Sequence, residues 1–183
     1  MHTKVIQYSL FQPGFFVDYL AYPHRTSPHF HNMQMMFDFQ NRRAIITSGS
    51  ENAPITLTSV SDMASVVAAA LDYSDPWPVL GGICGTQTTA GEIIALGEKL
   101  LGPFDVTRVE AKSVQDGEFE VPWVPLIDHP SLPVEVRESV SKMVLREYLI
   151  SAANGGWSVS DEWNRLLGIQ LTSMDDFLTK IWR

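Results

Sequence analysis

Cysteine is nearly absent from this chain: Cys84 is the single one in 183 residues. One thiol excludes an internal disulfide framework and fits a reducing compartment. Long apolar runs are missing as well. No stretch approaches the ~20 apolar residues that cross a bilayer as a helix. The start, MHTKVIQYSLF, lacks the long apolar core and small-residue cleavage site of a secretory signal. These absences predict a cytoplasmic protein with no membrane partner.

Positive charge is also scarce. Thirteen Lys and Arg stand against 21 Asp and Glu, a net charge of −8. Nucleic-acid surfaces need clustered cations to displace the counterions of phosphate, so no nucleic-acid partner is expected. The one basic pair, Arg42-Arg43, abuts an apolar strand and reads as an edge-strand gatekeeper.

Catalytic signatures are missing too. No G-x-S-x-G elbow occurs. No tyrosine has a lysine four residues on, the pairing that lowers a phenol's pKa in short-chain dehydrogenases. The glycine-rich stretch GGICGTQTTAG lies between a strand and a helix, where phosphate loops sit. Its Gly81, Gly82, Gly85 and Gly91 do not match G-x-G-x-x-G, and no Walker lysine follows. A structural turn is the better reading. Cys84 in that turn has no basic neighbour in sequence to lower its pKa and reads as inert. No catalytic residue is assigned.

What is present is an ordinary globular composition, 45% hydrophobic and 10% aromatic. Residues 1–183 read as a single domain. Lys4 to Phe11 are strand-like, and Pro13-Gly14 ends the run. FFVDYLAY carries apolar groups at helical or turn spacing up to Pro23. A long loop follows, with Met and Phe anchors that suggest a packed lid. RRAIITSG and APITLTSV read as two strands joined by a polar turn.

Ser59 or Ser61 caps the next helix, whose Met63, Val66, Val67, Ala70 and Leu71 make one buried stripe. Thr89 and Glu92 form a capping-box pattern for another, stopped by Gly102-Pro103. FDVTRVEA is a strand. Pro133 opens a helix to about Ala153, and Ser173 caps the last one. Interleaved strands and helices predict an α/β fold.

Two clusters are candidate sites. His24, His29 and His31 share the long loop, but their spacing fits no zinc signature, so no metal is assigned. One of them could face a pocket as a proton donor. Asp161-Glu162 reads as a solvated helix start, since adjacent helical residues diverge. Around Gly14, the residues Phe15, Phe16, Tyr19 and Tyr22 offer flat walls for a small molecule; core filling is the competing reading.

Five segments in order, LFQPGFFVDYLAYPH, FDFQNRRAIIT, ITLTSVSDMASVVAAALDY, WPVLGGICGTQTTAGEIIALGEKLLG and WSVSDEWNRLLGIQLTSMDDFLTKIW, resemble the C-terminal portion of fungal NmrA-like, isoflavone-reductase-like proteins. These are atypical short-chain dehydrogenase/reductases. The resemblance implies a partial Rossmann-like α/β fold lacking the N-terminal dinucleotide-binding half, with a C-terminal substrate-binding lobe. It places Gln12, Pro13 and Gly14 at the nicotinamide end of an NADP site. Phe15, Phe16, Tyr19 and His31 would line the substrate side.

The implied function is an NAD(P)H oxidoreductase for a small apolar metabolite in fungal secondary metabolism. The alternatives are a cofactor-free pocket protein or isomerase, and a redox-sensing regulator acting through protein contacts. Pyrophosphate binding rests on the first strand–turn–helix of such folds. The sequence shows no such loop, so NADP binding by this chain alone is not expected and a truncated chain is. A bare strand edge at Lys4–Phe11 would favour a homo-oligomer or a companion subunit.

Overall fold

The computed structural model describes residues 7–183. Strands β1 (Leu10–Gln12) and β2 (Phe15–Phe16) lead into a 3-10 helix, Val17–Ala21. Then come β3 (Phe37–Asp38), β4 (Arg43–Thr47), β5 (Pro54–Thr58) and helix α1 (Val60–Ala70). Strands β6 (Leu80–Gly82) and β7 (Thr86–Thr89) precede α2 (Ala90–Leu101), β8 (Asp105–Val109) and α3 (Ala111–Asp116). The chain ends in α4 (Val134–Ala153), α5 (Glu162–Leu167) and α6 (Met174–Trp182).

Three small sheets result. β1 pairs in parallel with β6, Leu10 opposite Leu80 and Gln12 opposite Gly82. β5 lies between parallel β2 and antiparallel β7. β4 lies between antiparallel β3 and parallel β8. The central strands β4 and β5 are buried over four consecutive residues each, Ala44–Thr47 and Ile55–Thr58. Strands covered on both faces read as continuous apolar or β-branched runs, as these do.

Helix ends follow the sequence closely. The hydroxyl of Ser59 accepts the Asp62 N–H, that of Thr89 the Glu92 N–H, and that of Ser173 the Asp176 N–H. Each satisfies an N–H that the helix itself cannot pair. In α4 the buried residues Ser141, Leu145, Leu149 and Ala152 recur at helical spacing, and this face packs on β4.

Four readings need correction. β1 begins at Leu10; the Lys4–Ile6 part of the expected strand lies outside the described residues. β4 and β5, close in sequence, belong to different sheets, so the turn between them is a crossover. β4 is the middle strand of its sheet, so Arg42-Arg43 guards no edge. Arg43 instead pairs with buried Asp38 at 2.8 Å, with Trp123 beneath its guanidinium. Leu71 leaves the expected stripe: α1 ends at Ala70, the Leu71 N–H bonds back to Ala68, and its side chain is 74% exposed.

Side chains pack into two clusters. The larger joins β2, β4 and β5 to α2, α4 and α6. The smaller centres on fully buried Trp163 of α5, with Val66, Ala70 and Ile83, and Phe11 packed against it. Phe11 stacks on Trp163 at 5.2 Å between ring centroids.

Candidate functional site

The parallel pair β1–β6 ends at Gln12 and Gly82, and Pro13-Gly14 turns the chain into β2. Ligands of open α/β sheets bind beyond the carboxyl ends of parallel strands, which is where this turn lies. Gly14 has φ of +66°, and a Cβ there would strike the Thr56 carbonyl. Glycine is therefore required by the left-handed backbone and by close approach to β5.

Phe15, the first residue of β2, is buried and stacks on Trp157 at 4.8 Å. Phe16 and Tyr19 are half-buried and meet Phe30 of the long loop at 5.7 and 5.1 Å. Thus Phe15 lies in the core, while Phe16, Tyr19 and Phe30 form an aromatic wall above it. Phe30 also lines a cleft of about 430 Å³ with Arg25, His29, His31 and Asn32. His31 is therefore joined to the aromatic residues through Phe30. Pro23 and Pro28 frame this cleft.

His24 parts from His29 and His31, which line the cleft together. The His24 ring sits edge-on to Trp182 at 4.7 Å, and the His31 ring edge-on to His129 at 6.0 Å. Among the described residues no three His, Cys, Asp or Glu side chains gather as a metal site would require.

Several residues that hold the site were not singled out from sequence. Asp18 of the 3-10 helix is buried and accepts from the Thr26 hydroxyl at 2.6 Å and the Val60 N–H at 2.8 Å. It ties the loop to the start of α1, where a carboxylate is also favoured by the helix dipole. A lone acid inside the apolar run FFVDYLAY is the signal that could have found it. Asp38 closes the other end of the loop, accepting from Gln34, from Asn41 twice and from Arg43.

Burial raises the phenol pKa of Tyr19 above 10.0, helped by Tyr148 and Asp18; burial raises Tyr148 as well. Both stay protonated near neutral pH. Burial also pushes the Cys84 thiol up, with Asp161 adding to the effect, so the thiol lacks nucleophilic character.

The glycine-rich stretch makes no phosphate cradle. A Cβ on Gly81 would strike Trp163, and one on Gly82 would strike Ser160. Gly85 lies against Thr172 and Leu57, and Gly91 against Glu51. These glycines admit protein atoms. This stretch therefore does not fit the diphosphate of a dinucleotide.

No helix among the described residues is long and apolar enough to cross a membrane. No protein-family model and no curated protein matches the sequence. Solved structures do match. An isoflavone reductase aligns over 92% of this chain and 49% of its own, with 18% identity and a TM-score of 0.53. The NADPH-dependent quinone oxidoreductase QOR2 of Escherichia coli aligns over 79% and 48%, with 17% identity and a TM-score of 0.52. Its complex with NADPH aligns over 76% and 45%, with 16% identity and a TM-score of 0.50. The chain thus spans about half the length of the structures it matches, and its fold is a partial Rossmann-like α/β fold.

Proposed function

We propose that this chain forms the substrate side of an NADPH-dependent oxidoreductase. Its substrate would be a small, largely apolar metabolite, of a kind made in fungal secondary metabolism. One observation carries the reading: the carboxyl end of the β1–β6 pair turns at Gly14 into Phe15 and Phe16, and Phe16 packs on Phe30, which borders a cleft. The fold shared with isoflavone reductase and QOR2 supports it. Gln12, Pro13 and Gly14 would meet the nicotinamide end, which supplies the hydride. Phe16 and Tyr19 would orient the substrate and exclude water, with Phe15 supporting them from below and His31 at the rim. The diphosphate would be gripped outside the glycine-rich stretch Gly81–Gly91.

Titration with NADPH and with reduced nicotinamide mononucleotide, followed by amide NMR, tests this. Shifts centred on Gln12 to Phe16 are expected, with the two ligands binding within about threefold, a difference under 1 kcal/mol. Shifts elsewhere, or far tighter NADPH binding, would overturn it.

The packed glycines favour a second reading, a cofactor-free pocket protein. Equal turnover of a bound ring substrate with and without NADPH would select it.

The partner in either case is protein as well as metabolite. β1 has no second strand partner among the described residues. Leu10 and Leu80, opposite each other, are 55% and 58% exposed. Such an apolar edge supports pairing with a second copy or a companion subunit. Sedimentation is expected to show association that Leu10→Lys abolishes.

A further inference from the structure

We propose that the cleft of residues 23–32 selects a small aromatic anion, an aromatic carboxylate or phenolate carrying a further hydroxyl. This narrows the substrate class of the reading above and rests on that cleft being the substrate side.

The charge pattern comes first. In a chain of net charge −8, no acid occurs between Asp18 and Asp38, while His24, Arg25, His29 and His31 all do. The two flanking acids are spent internally. Asp18 is bound by Thr26 and Val60, and Asp38 by Gln34, Asn41 and Arg43. Arg25, His29 and His31 line the cleft, and no acidic residue does. Arg25 thus gives the cleft a positive charge with no acid in the lining to offset it, and a concave site of that kind focuses potential and draws an anion in.

Shape and donors agree with this. Arg25 donates one bond to the Pro28 carbonyl, which anchors the guanidinium and leaves further N–H groups for a carboxylate fork. Phe30, braced by Phe16 and Tyr19, offers a ring face on which an aromatic ligand stacks. Asn32 lines the same cleft. Its Oδ1 is the one buried side-chain polar atom without a hydrogen-bond partner among the described residues. Its Nδ2 donates to the His24 carbonyl at 3.2 Å, and turning the amide at the expense of that bond would offer Oδ1 to a hydroxyl donor on the ligand. Arg25 and Asn32 then read opposite polarities of one molecule.

The test is titration, without dinucleotide, of 4-hydroxybenzoate, its neutral isostere 4-hydroxybenzamide, and the non-aromatic anion cyclohexanecarboxylate. The hydroxybenzoate is expected to bind at least about tenfold tighter than either of the others. Arg25→Gln, at an exposed position, should erase the preference for the anion over the amide while leaving the melting temperature unchanged. His31→Gln should weaken that preference, and Lys99→Gln, on α2, should leave it intact. No binding, equal affinity for acid and amide, or a preference that survives Arg25→Gln would each overturn the proposal. Because no dinucleotide is present, that failure would leave the nicotinamide mapping at Gln12–Phe16 untouched.

Discussion

Asn164 of α5 holds the backbone of Cys84 by two hydrogen bonds. Its Nδ2 donates to the Cys84 carbonyl at 2.8 Å, and its Oδ1 accepts the Cys84 N–H at 3.0 Å. One amide side chain thus stands in for a strand partner just beyond β6. Asn164→Leu leaves both backbone groups unpaired and should cost about 1–3 kcal/mol in urea unfolding. Asn164→Asp keeps the acceptor alone and should fall between the two.

Gly81 is the second point where α5 meets the sheet. Its missing side chain is the space that the indole of Trp163 occupies. Gly81→Ala should destabilise by about 1–3 kcal/mol through overpacking. Trp163→Ala should cost about 3–5 kcal/mol, because a fully buried indole is removed. The double variant should be less harmful than the sum, since the methyl enters space the ring has left.

Asp38 ends the cleft loop, with its side chain 1% exposed and that of Arg43 29% exposed. Asp38→Asn removes the charge that Arg43, Gln34 and Asn41 converge on. Breaking one side of a buried pair costs about 3–5 kcal/mol, and Arg43's partial exposure places this case at or below the lower end. Thermal melts check the loss. Proteolysis should locate new cleavage sites within residues 24–41.

Alkaline pH should destabilise the fold through Tyr19 and Tyr148. Their folded pKa values lie above the unfolded 10.0, first through burial. The protonated phenols favour the folded state, so this contribution is full below pH 10 and is lost as pH rises through the folded values. Melting temperature should therefore fall as pH rises past 10. Tyr148→Phe should flatten that fall, whatever its effect at pH 7.

Much of this was legible in the sequence because it is local. Thr89 and Ser173 cap as expected, and of the two serines offered for α1 it is Ser59 that caps; the Glu92 carboxylate turns to the Thr88 hydroxyl and leaves the capping box half formed. α4 starts just after Pro133 and runs to Ala153, as read. The aromatic run after Gly14 marked a cluster of packed rings, but not its depth. Whether Phe15 stacks inward on Trp157 while Phe16 meets Phe30 depends on residues far along the chain. Arg43 misled for the same reason, because the identity of an edge strand is a property of the assembled sheet. The six-residue α3 was assigned no element from sequence; it has neither a side-chain cap nor enough length for a period.

Two separate apolar clusters also bear on how this molecule comes apart on heating. Trp163 and its neighbours draw on α1, α5, β1 and Ile83 just past β6, and they are few beside the larger assembly. That corner should open first, so amide protons of β1 and β6 should exchange with deuterium before those of β4 and β5. Indole emission from Trp163, shielded from water while the corner is shut, would then shift to the red ahead of the main loss of helix signal.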